Sequence, residues 1–174
     1  MNVQQIEKKT STQRLGSTAF VLLLLEACGK LELNEEILHS LAYMVQSQMK
    51  PTCYPRMTWS IRANFLYSEQ IAKGLWLARK QGLIVHAPSV SLTPMGRRHC
   101  ALLDESVNAC RFDLMQATVA TIGLSRDNLH RFCIAAAALS CGLAEKVTDP
   151  EIRVLIQRHA QYATQYAPLM RRSL

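Results

Sequence analysis

Apolar residues recur every three to four positions along most of this chain, and glycines, prolines and capping residues break the pattern into successive helices. Ser17 to Cys28 is a dense apolar helix that Gly29 ends. Lys30 to Leu33 then forms a short extended link, suited to the first strand of the winged sheet, and Asn34 caps a second helix whose Glu35 and Glu36 complement its positive end. Ile37, Leu38, Leu41, Met44 and Val45 make the apolar stripe of that helix, which runs to about Gln48. A connector from Lys50 to Arg56 carries Pro51 and Pro55, and Met57 to Leu66 reads either as a strand or as a helical turn.

From Tyr67 to Gly96 the periodicity changes twice. Ser68 is a candidate N-cap, Glu69 favours the first turn, and Ile71, Leu75 and Ala78 share one face before Gly82 supplies a left-handed stop. Leu83 to His86 and Val90 to Leu92 are short runs rich in β-branched residues on either side of Ala87, Pro88 and Ser89, a pattern that predicts an antiparallel hairpin. Thr93 before Pro94 then opens another helix. Helix, two-stranded hairpin and helix in that order form the second half of a winged helix, and the two upstream helices supply the first half. The insertion between the second and third helices exceeds a tight helix-turn-helix link, which favours a divergent docking version of the fold.

The remainder is helical. Leu102, Leu103, Val107, Cys110, Leu114 and Val119 fit one long helix from Pro94 to about Ile122, or two joined near Asn108, and Gly123 ends the run. Ser125 and Asp127 start a helix through Leu129, Phe132, Cys133, Ala136, Leu139 and Cys141, whose Ala135 to Ala138 face permits close packing. Asp149, Pro150 and Glu151 open a final helix through Ile152, Leu155, Ile156 and Tyr162, followed by Pro168 and a basic tail at Arg171 and Arg172. Tyr162, Tyr166 and Met170 share a face that serves either domain packing or a seam for a partner or second copy. The expected fold is therefore mainly α: a flexible arm over 1–16, a winged-helix domain with a small β-hairpin wing over 17–105, and a helical C-terminal extension over 106–174 packed on it.

With nearly half of its 174 residues hydrophobic, the chain can bury one substantial core, or one core plus a helical extension. Phe20 to Leu25 and Phe132 to Ala144 are strongly apolar but fall short of the roughly 20 residues that cross a bilayer, so both are read as buried helices. The polar first 16 residues lack the apolar core of a signal peptide, which gives a cytoplasmic expectation. Cys28, Cys53, Cys100, Cys110, Cys133 and Cys141 include no C-x-x-C pair and fall mostly on apolar stretches, so reduced core thiols are expected. A site assembled across helices, with His39 or His99, is the alternative.

Catalytic signatures are missing. His39, His86, His99, His130 and His159 are scattered, and the chain has no Gly-rich phosphate loop, no G-x-S-x-G and no H-E-x-x-H. A cysteine nucleophile with a distant histidine stays open as a minor alternative, but enzyme activity, cofactors and metals are not expected.

Charge divides evenly, with a net excess of +2 over residues 1–66, +2 over 67–105 and +3 over 106–174. A dedicated DNA reader concentrates Lys and Arg on its recognition helix and wing, since phosphate neutralisation supplies much of the affinity. Here the wing tip from His86 to Ser89 has no Lys or Arg. Lys73 and Lys80 lie opposite Ile71 with Arg79 to one side, while Trp76 and Leu77 are large apolar groups outside the core-facing stripe. Such a mixed surface suits a protein partner. Arg97, Arg98 and His99 form the densest basic cluster, read either as a solvated first turn or as a contact for phosphate or an acidic partner.

The run from Leu22 to Gln48, then Tyr67-Ser68-Glu69 through Gly82-Leu83-Ile84 to Leu92-Thr93-Pro94 and Gly96, resembles the small winged-helix middle components of bacterial three-component ABC systems, including the accessory subunit of Lamassu-type anti-phage defence. The likeness covers about the first 105 residues, and its helix, G-L-I, strand, L-T-x-x-G pattern recurs across many winged-helix families. It implies a non-catalytic subunit that binds an SMC-like ATPase, near its head or coiled coil, and helps couple DNA sensing to a separate effector subunit. Lys73, Trp76, Leu77, Lys80 and the wing would form the docking face, with Tyr162 and Tyr166 as further partner contacts. The alternative is a free-standing DNA-binding regulator in which Lys73, Arg79, Lys80, Arg97 and Arg98 meet phosphates. A third is a module that self-associates through its last two helices.

Overall fold

The computed structural model describes residues 14–29, 31, 33–55, 57–103, 105–122, 131, 134, 135, 138, 139, 142 and 144–158. The helices predicted over Ser125 to Cys141 and beyond Arg158 lie largely outside them, as does most of the arm. The chain is mainly helical with small antiparallel hairpins, in a winged-helix-like arrangement. In order, α1 spans Ser17–Cys28, α2 Glu35–Gln48, β1 Ser60–Arg62, β2 Phe65–Tyr67, α3 Glu69–Lys80, β3 Ile84–Val85, β4 Ser91–Leu92, α4 Pro94–Ala101 and α5 Asn108–Ile122. Residues 150–158 form a further helix. Among the described residues no helix is long and apolar enough to cross a membrane.

Every residue of α1 from Phe20 to Leu25 is buried, so this helix is enclosed rather than laid on a surface. α3, α5, α4 and β4 all pack on it. α2 buries Leu38, Leu41, Ala42 and Val45 and packs on α5 and β2. α5 turns Val107 (from the single 3-10 turn before it), Cys110, Leu114 and Ala117 inward, a three-to-four-residue progression that Thr118 and Thr121 continue. Leu102 and Val119, expected on that stripe, are 83% and 68% exposed instead. Leu102 caps the end of α4, and the five-residue step from Leu114 to Val119 leaves the buried face. The sequence pattern from Pro94 to Ile122 is thus two helices, Pro94–Ala101 and Asn108–Ile122, the second preceded by the 3-10 turn Glu105–Val107.

Side-chain caps set several of the helix starts. Asn34 Oδ1 accepts from the Ile37 amide at 2.8 Å, and Asp149 Oδ1 accepts from the amides of Glu151 and Ile152 at 2.8 and 3.2 Å. Ser68 departs from its expected role: its hydroxyl donates to Gln70 Oε1 at 3.0 Å and caps nothing, while its amide donates to His39 Nδ1 at 3.1 Å. The start of α3 is therefore pinned to α2 through a histidine.

The stretch after the connector is a hairpin rather than a lone strand or helical turn. Ile61 and Leu66 pair across it, and Ala63 and Asn64 both have positive φ, as a two-residue hairpin turn of the I′ kind requires. Asn64 also accepts hydrogen bonds from the amides of Thr148 and Asp149, which fastens the start of helix 150–158 to this turn. In the wing, Ile84 pairs with Leu92 and Val85 with Ser91, while of the first strand expected over Lys30 to Leu33 the described residues show only an isolated bridge between Leu33 and Val90.

Two of the six cysteines correct the expectation of reduced thiols. Cys53 in the connector and Cys110 on α5 form a disulfide, their Cα atoms 4.8 Å apart across a separation of 57 residues. The Lys50 amide donates to Asp113 of α5 at 2.8 Å beside it. Cys28 and Cys100 are the buried free thiols that were expected, and burial pushes them up to about 12 and about 11.

Backbone approaches at two glycines leave no room for a side chain. A Cβ on Gly74 of α3 would lie 2.6 Å from the Ser17 carbonyl oxygen of α1, and one on Gly96 of α4 would lie 2.1 Å from that of Leu83. Either alanine substitution should destabilise the fold by about 2–3 kcal/mol, as overpacking against backbone does, lowering the urea midpoint at unchanged m-value. His39 adds a pH dependence. It is fully buried, stacked on Tyr67 with ring centroids 5.2 Å apart, and its Nε2 has no hydrogen-bond partner among the described residues. Burial, with the nearby Arg62 charge second, lowers its pKa from 6.5 to about 4. Between those values the unfolded chain binds more protons than the folded one, so stability should fall as pH drops through that window, by up to about 3 kcal/mol. Urea titrations across that pH range should show this slope in the wild type and a flatter one in His39→Gln.

Candidate functional site

α3 meets the core through Ile71, Gly74, Leu75 and Ala78, all buried. The complementary side of the helix therefore faces solvent. Lys73, Trp76 and Lys80 lie along it at i, i+3 and i+7, and Leu77 is half-buried at its margin. Trp76 is 58% exposed, unusual for the largest apolar side chain, and Lys80 Nζ stands 5.0 Å from its ring centroid, within cation–π range. The face thus presents an aromatic surface flanked by two cations. Trp, with Tyr and Arg, is among the residues that dominate binding energy when desolvated at the centre of an interface.

The helix ends in a Schellman motif. The Leu83 amide donates to the Ala78 carbonyl at 2.8 Å and the Gly82 amide to that of Arg79 at 2.9 Å, with Gly82 at φ +68°. Thr93 stitches this end to α4, since its hydroxyl donates to the Gly82 carbonyl at 2.8 Å and accepts from the Gly96 amide at 3.0 Å. The predicted cap and the left-handed glycine both form, and through Thr93 they become one unit.

Arg79 differs from its neighbours. Its guanidinium donates to Nδ1 of His86, the first residue of the wing tip after β3, and His86 Nε2 stands 3.6 Å from a carboxylate oxygen of Glu35 at the start of α2. The predicted phosphate contact is thereby engaged by another side chain of the same chain, at the surface, joining α3, wing and α2. Arg97 and Arg98 are exposed on α4 and form no ion pair among the described residues. Tyr162 and Tyr166 lie outside the described residues. Among those described, no group of three His, Cys, Asp or Glu side chains is placed to hold a metal ion.

Some exposed apolar groups have no counterpart in the expected site. Phe112, Met115 and Val119 are 62%, 45% and 68% exposed and recur at i, i+3 and i+7 on the outer side of α5. The repeat is visible in the sequence, but so is the competing repeat through Cys110 and Leu114, and only packing decides which faces inward. Met95 and Leu102, both exposed at the edge of α4, were likewise missed as surface groups.

Compared with known proteins, the chain matches no family model, no curated protein and no solved structure.

The two tryptophans should report this geometry separately. Trp59 is half-buried, its indole N–H donating to Gln46 at 2.7 Å and its ring edge-on to Tyr43, whereas Trp76 is open to solvent. Iodide should quench the emission of the wild type partially, and Trp76→Phe should remove most of the quenchable fraction and leave a blue-shifted spectrum. A Trp59→Phe variant should retain it. Equal quenching of the two residues would contradict the placement of α3.

Proposed function

We propose that this chain is a non-catalytic accessory subunit that docks, through the outer face of α3, on an SMC-like or ABC-type ATPase within a DNA-sensing bacterial defence complex, and helps control its effector. The observation that carries the docking reading is Trp76, more than half exposed between Lys73 and Lys80 on the helix that a winged helix presents to its target. An isolated exposed tryptophan is costly to leave in water, and its desolvation is a common source of interface energy. The identity of the partner rests on the sequence resemblance over the first 105 residues. The subunit is placed in the cytoplasm, where the ATPase and its DNA would be. Cytoplasmic thiols are normally kept reduced, so the Cys53–Cys110 bond weighs against that location, and finding it intact in alkylated protein from native cells would count further against it.

A second reading, a free-standing DNA-binding regulator, is favoured by Arg97 and Arg98, exposed and without an internal ion pair among the described residues. Against it stand the engagement of Arg79 by His86 and a wing tip with no Lys or Arg. The two readings diverge in their salt dependence. Trp76→Ala with Leu77→Ala should detach the ATPase from the tagged subunit and lower its melting temperature only modestly, because Trp76 is exposed and Leu77 only half-buried. Retention of the complex by the folded double variant would remove α3 as the docking face. For the regulator, affinity for duplex DNA would fall steeply with added salt and respond to Arg97→Ala and Arg98→Ala.

A further inference from the structure

Beyond the end of α3 the surface drops into an open groove of about 350 Å³ lined by Gln81, Leu83, Met95, Arg98, His99 and Leu102. Its volume is near the low end of the roughly 300–1,000 Å³ typical of small-molecule pockets. Those pockets enclose most of their ligand, and this groove is largely open to solvent. It is suited to a side chain or two of a longer segment lying across it. The backbone that carries its lining is tied together before anything binds: Thr93 joins the end of α3 to α4, and the Leu83 carbonyl sits against Gly96. A preformed groove spares its occupant the cost of ordering it.

The lining is two-sided in chemistry. Leu83, Met95 and Leu102 offer apolar surface, with Met95 53% and Leu102 83% exposed, while Arg98 contributes a guanidinium and none of the six lining residues is acidic. Phosphate on a nucleic-acid backbone would answer the guanidinium and leave the apolar side chains in water. A second copy of this chain, which carries a net charge of +7, would bring like charge to the same rim. A segment with a large apolar side chain beside one or more carboxylates satisfies both halves.

We propose that this groove receives an acidic segment of the docking partner, anchored by a large apolar side chain among Leu83, Met95 and Leu102 with its carboxylate on Arg98. The inference rests on the docking reading and extends that contact past Lys80 onto α4. The carboxylate and guanidinium form a charge-assisted pair, and the apolar anchor fixes its register.

The test is selection of a random-peptide display library on the immobilised full chain, with Arg98→Glu and Leu102→Ser as counter-targets. Both residues are exposed, so these variants keep the fold. Enrichment of peptides that combine Asp or Glu with Leu, Phe or Trp, binding each variant about tenfold or more weakly in fluorescence anisotropy, is the expected result. Peptides without acidic residues, peptides indifferent to both variants, or no enrichment would overturn the proposal, as would a short duplex DNA that alone depends on Arg98. Such a failure, with release of the ATPase by the Trp76 and Leu77 double variant, removes the groove and leaves the α3 docking face standing. Groove-dependent acidic peptides, together with retention of the ATPase by that double variant, support the groove and remove the α3 face.

Discussion

Helix α1 is buried along its entire central run from Phe20 to Leu25, and a helix without a polar side has to be enclosed by others. That need places α3, α4, α5 and β4 around it. The contact with α3 is the closest, because Gly74 brings the α3 backbone against the Ser17 carbonyl. Once this crossing is fixed, Ile71, Leu75 and Ala78 are committed to the core and Lys73, Trp76 and Lys80 to the outside. The candidate docking face is thus a consequence of how α1 is covered.

The same framework decides which cations are available. Arg79 lies beside the docking face in sequence, yet it is engaged with His86, which in turn approaches Glu35, so it braces the wing against α2. Arg111 plays a comparable internal part, bridging Glu26 of α1 at 2.8 Å and the Cys100 carbonyl at the end of α4 at 3.0 Å. Lys73, Lys80, Arg97 and Arg98 are the exposed cations of α3 and α4 with no ion pair or side-chain hydrogen bond to another residue among those described. They accompany exposed apolar side chains, Trp76 on α3 and Met95 and Leu102 by α4, and that combination fits a protein surface better than a phosphate backbone.

Much of this was legible in the chain because the signals are local. Asn34, Gly82, Thr93 and Asp149 act through hydrogen bonds within a few residues of themselves, and the wing strands carry their own β-branched pattern. Trp76 stood out because it falls off the stripe through Ile71, Leu75 and Ala78. Features that depend on distant partners were hidden. Ser68 has a capping residue's chemistry but loses that role when its amide finds His39 on another helix. The pairing of Cys53 with Cys110 and the engagement of Arg79 by His86 exist only once the connector, α5 and wing are in place. Leu102 was assigned inward although it falls at the end of α4, outside the stripe of α5, and Val119 although its five-residue step from Leu114 turns it off the buried face of the same helix.

The central claim is that this chain works as one part of a larger assembly. It is tested most directly by purifying the tagged chain from its own cells at native expression, from nuclease-treated lysate in moderate salt, and measuring what accompanies it in fixed ratio. The account predicts a large ATPase at constant stoichiometry. A chain that elutes alone, and that without nuclease treatment retains a defined DNA sequence, would contradict it.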